Sequence, residues 1–189
     1  MILATNNKGK LMEIKKILKE YQIYSLRDKN INIDVIEDEN TFYGNALKKA
    51  REIYAISGEP VIADDSGLCI TALNDFPGVL THRFLGEDAT DEERNNDLIR
   101  RVNNVSDRKA KVICNLVYYD GKDILVGEGI LEGKIAINPR GQNGFGFDPI
   151  FELENGKTLA ELTEEEKNTL SARYLAAVDL SNKIKKLHK

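Results

Sequence analysis

A three-histidine zinc site is the first thing this 189-residue chain cannot build. It has only two histidines, His82 and His188, and a three-histidine site needs three. An oxygen-ligated Mg²⁺ or Mn²⁺ stays open. Cysteine is equally scarce. Cys69 and Cys114 stand far apart, form no Cys-x-x-Cys pair, and read as reduced core thiols of a cytoplasmic protein. Long apolar runs are missing. Residues 1–4, MILA, give way to polar TNNKGK, too short a stretch for a signal peptide or anchor, and no later run approaches a spanning helix, so no membrane partner is expected. Excess positive charge is missing too. Lys and Arg number 27 against 31 Asp and Glu, and the net charge of −4 argues against a chain that coats nucleic acid, though a local basic pocket is compatible with it. There is no GxxxxGK[ST] phosphate loop, internal repeat, low-complexity stretch or interdomain linker. What remains is 41% hydrophobic, enough for the core of one globular domain spanning residues 1–189.

The pattern of elements predicts an α/β fold. Residues 1–4 read as a short strand, and Thr5 to Asn7 as a loop feeding a helix marked by Leu11, Ile14 and Leu18. TFYGNALKKAREIYAISGEP reads as a second helix, capped by Thr41, lined by Phe42, Ala46, Ala50 and Ile53, and ended by Gly58 and Pro60. A third helix opens at TDEE, where Thr90 and Glu93 have capping-box spacing. Residues 110–137 read as a long hairpin turned at DGK. A glycine-rich loop, NPRGQNGFGFDPIF, follows. A second capping box at residues 163–166 opens a helical C-terminus broken near Asn168 to Ser171. Short parallel-type strands mixed with helices and a hairpin imply a mixed sheet.

Three stretches carry chemistry. In VIADDSGLCI an apolar strand, Val61 to Ala63, reads as stopping at two adjacent acids, Asp64 and Asp65. Asp and Ser can serve a local turn there; a pair of acids at close range also suits a cation or a catalytic task. In ATNNKGKLMEI, Lys8 and Lys10 occupy what should be a helix's first turn, where the macrodipole disfavours cations. Bound phosphate, held with Thr5, Asn7 and backbone N–H groups, would justify them; a solvated lysine pair eased by Glu13 is the other reading. In GFGFDPIF, glycines alternate with Phe145 and Phe147, either to stack on a base or to plug the core. Lys167 and Arg173 are six residues apart, so they share a cleft only if the helix breaks between them; otherwise they are two surface cations.

Taken in order, TNNKGKLMEI, TFYGNALKKA, VIADDSGLCITALNDFPGV, GEDATDEERN, GFGFDPIF and LAELTEEEKNTLSAR resemble the inosine triphosphatase (Ham1-like) family of noncanonical purine nucleoside triphosphate pyrophosphatases. The resemblance covers nearly the whole chain. It implies a two-lobed α/β fold with a long mixed central sheet flanked by helices, an active-site cleft between the lobes, and a homodimer. It implies hydrolysis of ITP, dITP and XTP to the monophosphate and pyrophosphate with Mg²⁺. Carried over residue by residue, Thr5, Asn6, Asn7, Lys8, Gly9 and Lys10 would hold the triphosphate. Asp65 would be the metal-linked general base, with Asp64 a second metal ligand and Ser66 a substrate contact. Phe145, Gly146, Phe147 and Asp148 would embrace the base, Lys167 would meet phosphate, and Ala172 and Arg173 would lie at the base edge.

Two departures stand out. The family pattern has an acid before Asn-Ala in the second helix, where this chain has Gly44; Asp64 or Glu39 could take over its metal role. The family pattern has His before the C-terminal Arg, where this chain has Ala172, while His82 stands where the family has a small residue. The competing reading is therefore a nucleotide-binding protein on the same fold with weakened turnover. A Maf-like pyrophosphatase fits less well, because its Ser-Pro-Arg-Arg type opening loop does not match TNNKGK.

Overall fold

The structure, a computed structural model, describes residues 1–86 and 88–187; His188 lies outside them. The chain divides into two compact units. Unit 1 holds Met1–Ser66, Cys114–Gly129 and the segment from Ala172; unit 2 holds Gly67–Ile113 and Ile130–Ser171. Among the described residues the strands are β1 (Ile2–Leu3), β2 (Tyr24–Ser25), β3 (Val61–Ile70), β4 (Phe76–Pro77), β5 (Lys109–Tyr119), β6 (Ile124–Ile135) and β7 (Phe151–Glu152). Their order is β2-β1-β3-β5-β6-β7, with β4 paired to β3. Both β2 and β3 run parallel to β1, whereas β3–β4 and β6–β7 are antiparallel. The sheet is mixed, as expected.

In unit 1, α1 (Lys8–Ile17) starts at the Asn7 cap, whose side chain accepts the Lys10 N–H. Helix α2 (Phe42–Ser57) starts at Thr41, which accepts the Gly44 N–H, and stops at Gly58, whose φ of +64° suits glycine. Ala46, Ala50 and Ile53 recur at helical spacing and meet Ile2, Ala4, Val61, Ala63 and Val117 in one buried cluster. Tyr54 closes its edge against Tyr119, ring centroids 5.0 Å apart.

One expectation about β3 fails. The strand does not stop at Asp64. It runs on through both acids, Ser66 and Gly67 to Ile70, and all ten of its residues are buried. The two acids look like a terminus only if a strand interior must be apolar. Here Lys10 and Arg173 satisfy Asp64, and the Asn45 amide and the Ser66 N–H satisfy Asp65, so the ladder continues.

Unit 1 also contains a close strand–helix contact. Gly127 and Gly129 of β6 face α5 (Ala172–Leu187). A Cβ at Gly127 would strike the Ala176 carbonyl oxygen and Leu180, and one at Gly129 the Ala172 carbonyl oxygen. Two residues along a strand advance about 6.6 Å, and four along a helix about 6 Å, so the glycine pair and residues 172, 176 and 180 stay matched.

In unit 2, α3 (Asp91–Arg101) begins with the reciprocal Thr90–Glu93 capping box. The short α4 (Glu164–Lys167) begins with the same device at Thr163 and Glu166, and the expected break precedes α5. Phe76 and Phe84 meet edge to face at 5.3 Å. Among the described residues no helix is long and apolar enough to cross a membrane.

Gly129→Ala should force α5 off β6 and cost about 1–3 kcal/mol as overpacking. For a chain of this size that lowers Tm by about 2–12 °C. Thermal unfolding followed by circular dichroism measures it; an unchanged Tm would show that α5 can yield without loss.

Candidate active site

Strand geometry separates the two acids. Successive side chains of β3 point to opposite faces. Asp65 shares its face with Val61 and Ala63 and meets α2. Asp64, on the other face with Ser66, meets α1 and α5. The carboxylates are adjacent in sequence but surrounded by different partners.

Asp64 is 1% exposed. Its Oδ2 receives Lys10 Nζ at 3.1 Å and Arg173 Nε at 3.4 Å. Arg173 also donates from Nη1 to Glu13 Oε2 at 2.5 Å and from Nη2 to Ser66 Oγ at 3.0 Å. Burial opposes the charge on Asp64, but Lys10, Arg173 and Lys49 outweigh it and hold the carboxyl well below the usual carboxylate range. Burial likewise opposes the charge on Arg173, and Asp64 and Glu13 more than compensate.

Asp65 is 3% exposed and differs in kind. Burial is the strongest influence and pushes its carboxyl up to about 6; Glu37 adds to the rise, while Lys49 and Asn45 oppose it. Its Oδ1 accepts the Ser66 N–H and its Oδ2 the Asn45 Nδ2 donor, both at 2.9 Å. Asn45 is fully buried and its Oδ1 accepts the Glu39 N–H at 3.0 Å. Lys49, one turn further along α2, pairs with Glu37 and donates to the Asp64 carbonyl. A buried carboxyl with both oxygens oriented and a proton affinity near neutrality is equipped for proton transfer. Among the described residues every buried side-chain N or O has a hydrogen-bond partner.

Unit 2 organises the glycine-rich loop. The Asp148 Oδ2 accepts the Phe145 N–H at 2.8 Å and pairs with Lys167 at 2.5 Å; Lys167 Nζ stands 4.8 Å from the centre of the Phe145 ring. Phe145 and Phe147 are half-buried, so neither is a full core plug. Gly144 has φ +80°, and a Cβ there would strike Asp148.

Unit 1 thus holds Lys10, Asp64, Asp65, Ser66 and Arg173 of the expected site residues, together with Thr5, Asn6, Asn7, Lys8, Gly9 and Ala172. Asn6, Asn7 and Lys8 are exposed, and Thr5 and Gly9 partly so. Unit 2 holds Phe145, Gly146, Phe147, Asp148 and Lys167. Two of the alternative readings fall. Lys10 is not a solvated first-turn lysine but a buried partner of Asp64. Arg173, 8% exposed, directs donors to Glu13, Asp64 and Ser66 rather than presenting them as a surface cation. The sequence reading passed over Asn45, Lys49 and Glu37. Asn45 and Lys49 left a trace: they sit four apart on α2 and interrupt the stripe of Ala46, Ala50 and Ile53.

Residues 1–183 match the model of the Ham1 family. The chain belongs to the Ham1 family. It is 45% identical over 193 residues to a dITP/XTP pyrophosphatase of Thermoanaerobacter sp. (strain X514), covering 98% of this chain and 96% of the relative. It is 40% identical to a dITP/XTP pyrophosphatase of Aquifex aeolicus (strain VF5), over 100% of this chain and 98% of the relative. Among solved structures, the Coxiella burnetii HAM1 protein superimposes with a TM-score of 0.90 at 38% identity, covering 98% of each chain. The Staphylococcus aureus Ham1 protein gives 0.89 at 34%, covering 100% of this chain and 98% of that one.

Gly44 and Ala172 are the two positions at which the sequence is expected to depart from the family pattern. The space at Gly44 is already covered: a Cβ there would meet Glu39 Cβ at 2.9 Å and Thr41 Oγ1 at 3.0 Å. Ala172 is 2% exposed, its carbonyl lying over Gly129.

Arg173→Met should destabilise the protein by about 3–5 kcal/mol, because Asp64 and Glu13 stay buried with one cation fewer. The sign with pH follows from Asp64. Its folded value is depressed, so its contribution is whole above about pH 5, starts to decline as pH drops through about 4, and is lost only as pH falls through the depressed folded value. Urea unfolding followed from pH 7 down to about pH 2 should show the gap between wild type and variant narrowing only below about pH 4, and progressively. A constant gap would place the loss in packing rather than charge.

Proposed function

We propose that this Ham1 chain hydrolyses ITP, dITP and XTP to the nucleoside monophosphate and pyrophosphate, removing deaminated purines from the nucleotide pool. The names of its relatives over nearly their full length support the reaction class. The observation that carries the reading to residues is the pair Asp64 and Asp65: one carboxylate locked among cations, the other buried with a carboxyl near pH 6.

Asp65 is the proposed general base. It takes a proton from water as the water oxygen bonds to the α-phosphorus, the bridging P–O bond breaks, and pyrophosphate leaves. Asn45 and the Ser66 N–H hold the carboxylate in place for that transfer. The N-terminus of α1, with Thr5 to Gly9, offers N–H groups and a positive dipole end to phosphate. Lys8 adds an exposed charge, and Lys10 acts from its pair with Asp64. Arg173 positions the Ser66 hydroxyl. In unit 2, Phe145 to Asp148 are proposed to take the base, and Lys167 a phosphate; Ala172, in unit 1, adds no donor.

Mg²⁺ fits the donor set beside Asp65. Among the described residues no cluster of three or more His, Cys, Asp or Glu could hold a metal alone. That matches a Mg²⁺ that arrives on phosphates and takes one or two carboxylates from protein. Asp65 would hold it, whereas Asp64, flanked by Lys10 and Arg173, is a poor seat. Bound Mg²⁺ would supply neutralisation of charge on the phosphate oxygens. A homodimer in the cytoplasm completes the reading.

Pyrophosphate release from XTP, dITP and ITP, against ATP and GTP, tests the reading directly. Asp65→Asn should lower kcat by about 10²-fold or more with folding intact. In the wild type, kcat/KM should fall as pH drops through about 6, because Asp65 becomes protonated. Raising Mg²⁺ should move that limb lower, since a cation favours the ionised carboxylate. Near-normal turnover by Asp65→Asn would remove Asp65 from the chemistry.

A further inference from the structure

The glycine-rich loop is gripped by a helix that neither the motifs nor the proposed chemistry assigns to it. Asp91 and Asn95 stand four residues apart on α3, and hence on one face of it. Both reach the same residue of the loop. The Gly146 N–H donates to Asp91 Oδ2 at 2.9 Å, and Asn95 Nδ2 donates to the Gly146 carbonyl oxygen, also at 2.9 Å. Asn95 is 5% exposed, although asparagine ordinarily prefers caps and turns to the middle of a helix.

We propose that α3 is the rack that fixes the base-contacting loop, with Asp91 and Asn95 as positioning residues for recognition of the purine. The inference rests on the functional reading above. Gly146 has φ +63°, and open space lies where its Cβ would be, so sterics alone leave this residue free to change conformation. Bonding both its N–H and its C=O to one rigid element removes that freedom. Phe145 and Phe147 flank Gly146, so fixing its peptide groups fixes where both rings project. Phe147 lines a small cavity together with Phe84 and Leu98.

The rack is itself secured. Arg94, on the same helix, donates to the Phe84 and Gly86 carbonyls at 3.1 and 2.8 Å. The Thr90–Glu93 box closes the first turn. On the loop's other side Asp148 holds the Phe145 N–H. Preordering of this kind spares the ligand the cost of ordering the loop, so its loss should appear in binding before chemistry.

The test compares wild type with Asn95→Ala, Asn95→Asp and Asp91→Ala, all checked for folding by circular dichroism. Asn95→Asp keeps the shape but turns an acceptor toward the Gly146 carbonyl. For XTP and dITP, each variant should raise KM about tenfold while kcat changes less than about threefold. Inhibition by inorganic pyrophosphate, which has no base, should be unchanged. Asp91→Asn keeps an acceptor for the Gly146 N–H and should recover most of the KM. Equal losses toward base-bearing and base-free ligands, or an unchanged KM, would overturn the proposal. Amide hydrogen exchange at Gly146 gives a readout independent of turnover: protection should fall in Asn95→Ala and Asp91→Ala, and unchanged protection would refute the rack. A wild type that releases no pyrophosphate from either substrate would sink the functional reading, and the exchange result would still decide whether α3 holds the loop.

Discussion

The ionised carboxylate of Asp64, almost wholly removed from water, is the constraint that unit 1 is built around. A buried charge is tolerable only when opposite charge and hydrogen bonds surround it closely. Lys10 comes from α1, Arg173 from α5, and the Lys49 ammonium from α2 reaches the Asp64 backbone carbonyl. Each cation must be within a few ångströms of β3, so three helices have their rotation and depth relative to one strand set by one residue. Hydrophobic packing alone tolerates small slides; a paired charge does not.

The same arrangement explains how Asp65 acquires its different character. The pleat sends it to the face of Val61 and Ala63, toward the aliphatic cluster that includes Ala46 and Ala50. There it meets an amide, an N–H and a lysine, with Glu37 close enough to offset part of that lysine's effect. Two identical side chains, one residue apart, therefore differ in proton affinity because a β-strand alternates. Pairing a permanently charged acid with a titratable one is a common division of labour at catalytic sites.

Much of this was legible in the sequence. Caps at Thr41, Thr90 and Thr163 and the break before α5 follow from local hydrogen-bonding chemistry, which a sequence displays directly. The order of motifs was enough to suggest the family. The course of β3 was not legible, because polar residues inside a strand make sense only once their partners are known. Arg173 and Glu13 are 160 positions apart, and no periodicity reports such a meeting. Asn45 and Lys49 were half-visible as polar breaks in an apolar stripe. Asn95 left only a faint sign, an amide in mid-helix, and its partner Gly146 lies 51 residues away.

The glycine pair in β6 ties backbone packing to this electrostatic centre. Arg173 is the second residue of α5, and the carbonyl of the first, Ala172, lies directly over Gly129. The depth at which α5 meets the sheet therefore also sets how far the Arg173 guanidinium must extend to Asp64 and Ser66. A Cβ at residue 129 would push outward the very turn that carries Arg173. Since hydrogen bonds weaken steeply as their geometry degrades, and the Nε–Oδ2 separation is already 3.4 Å, the Asp64 contact has little reserve. The absence of a side chain at two strand positions is thus a condition for the charge balance around Asp64, and through Arg173 for the placement of the Ser66 hydroxyl.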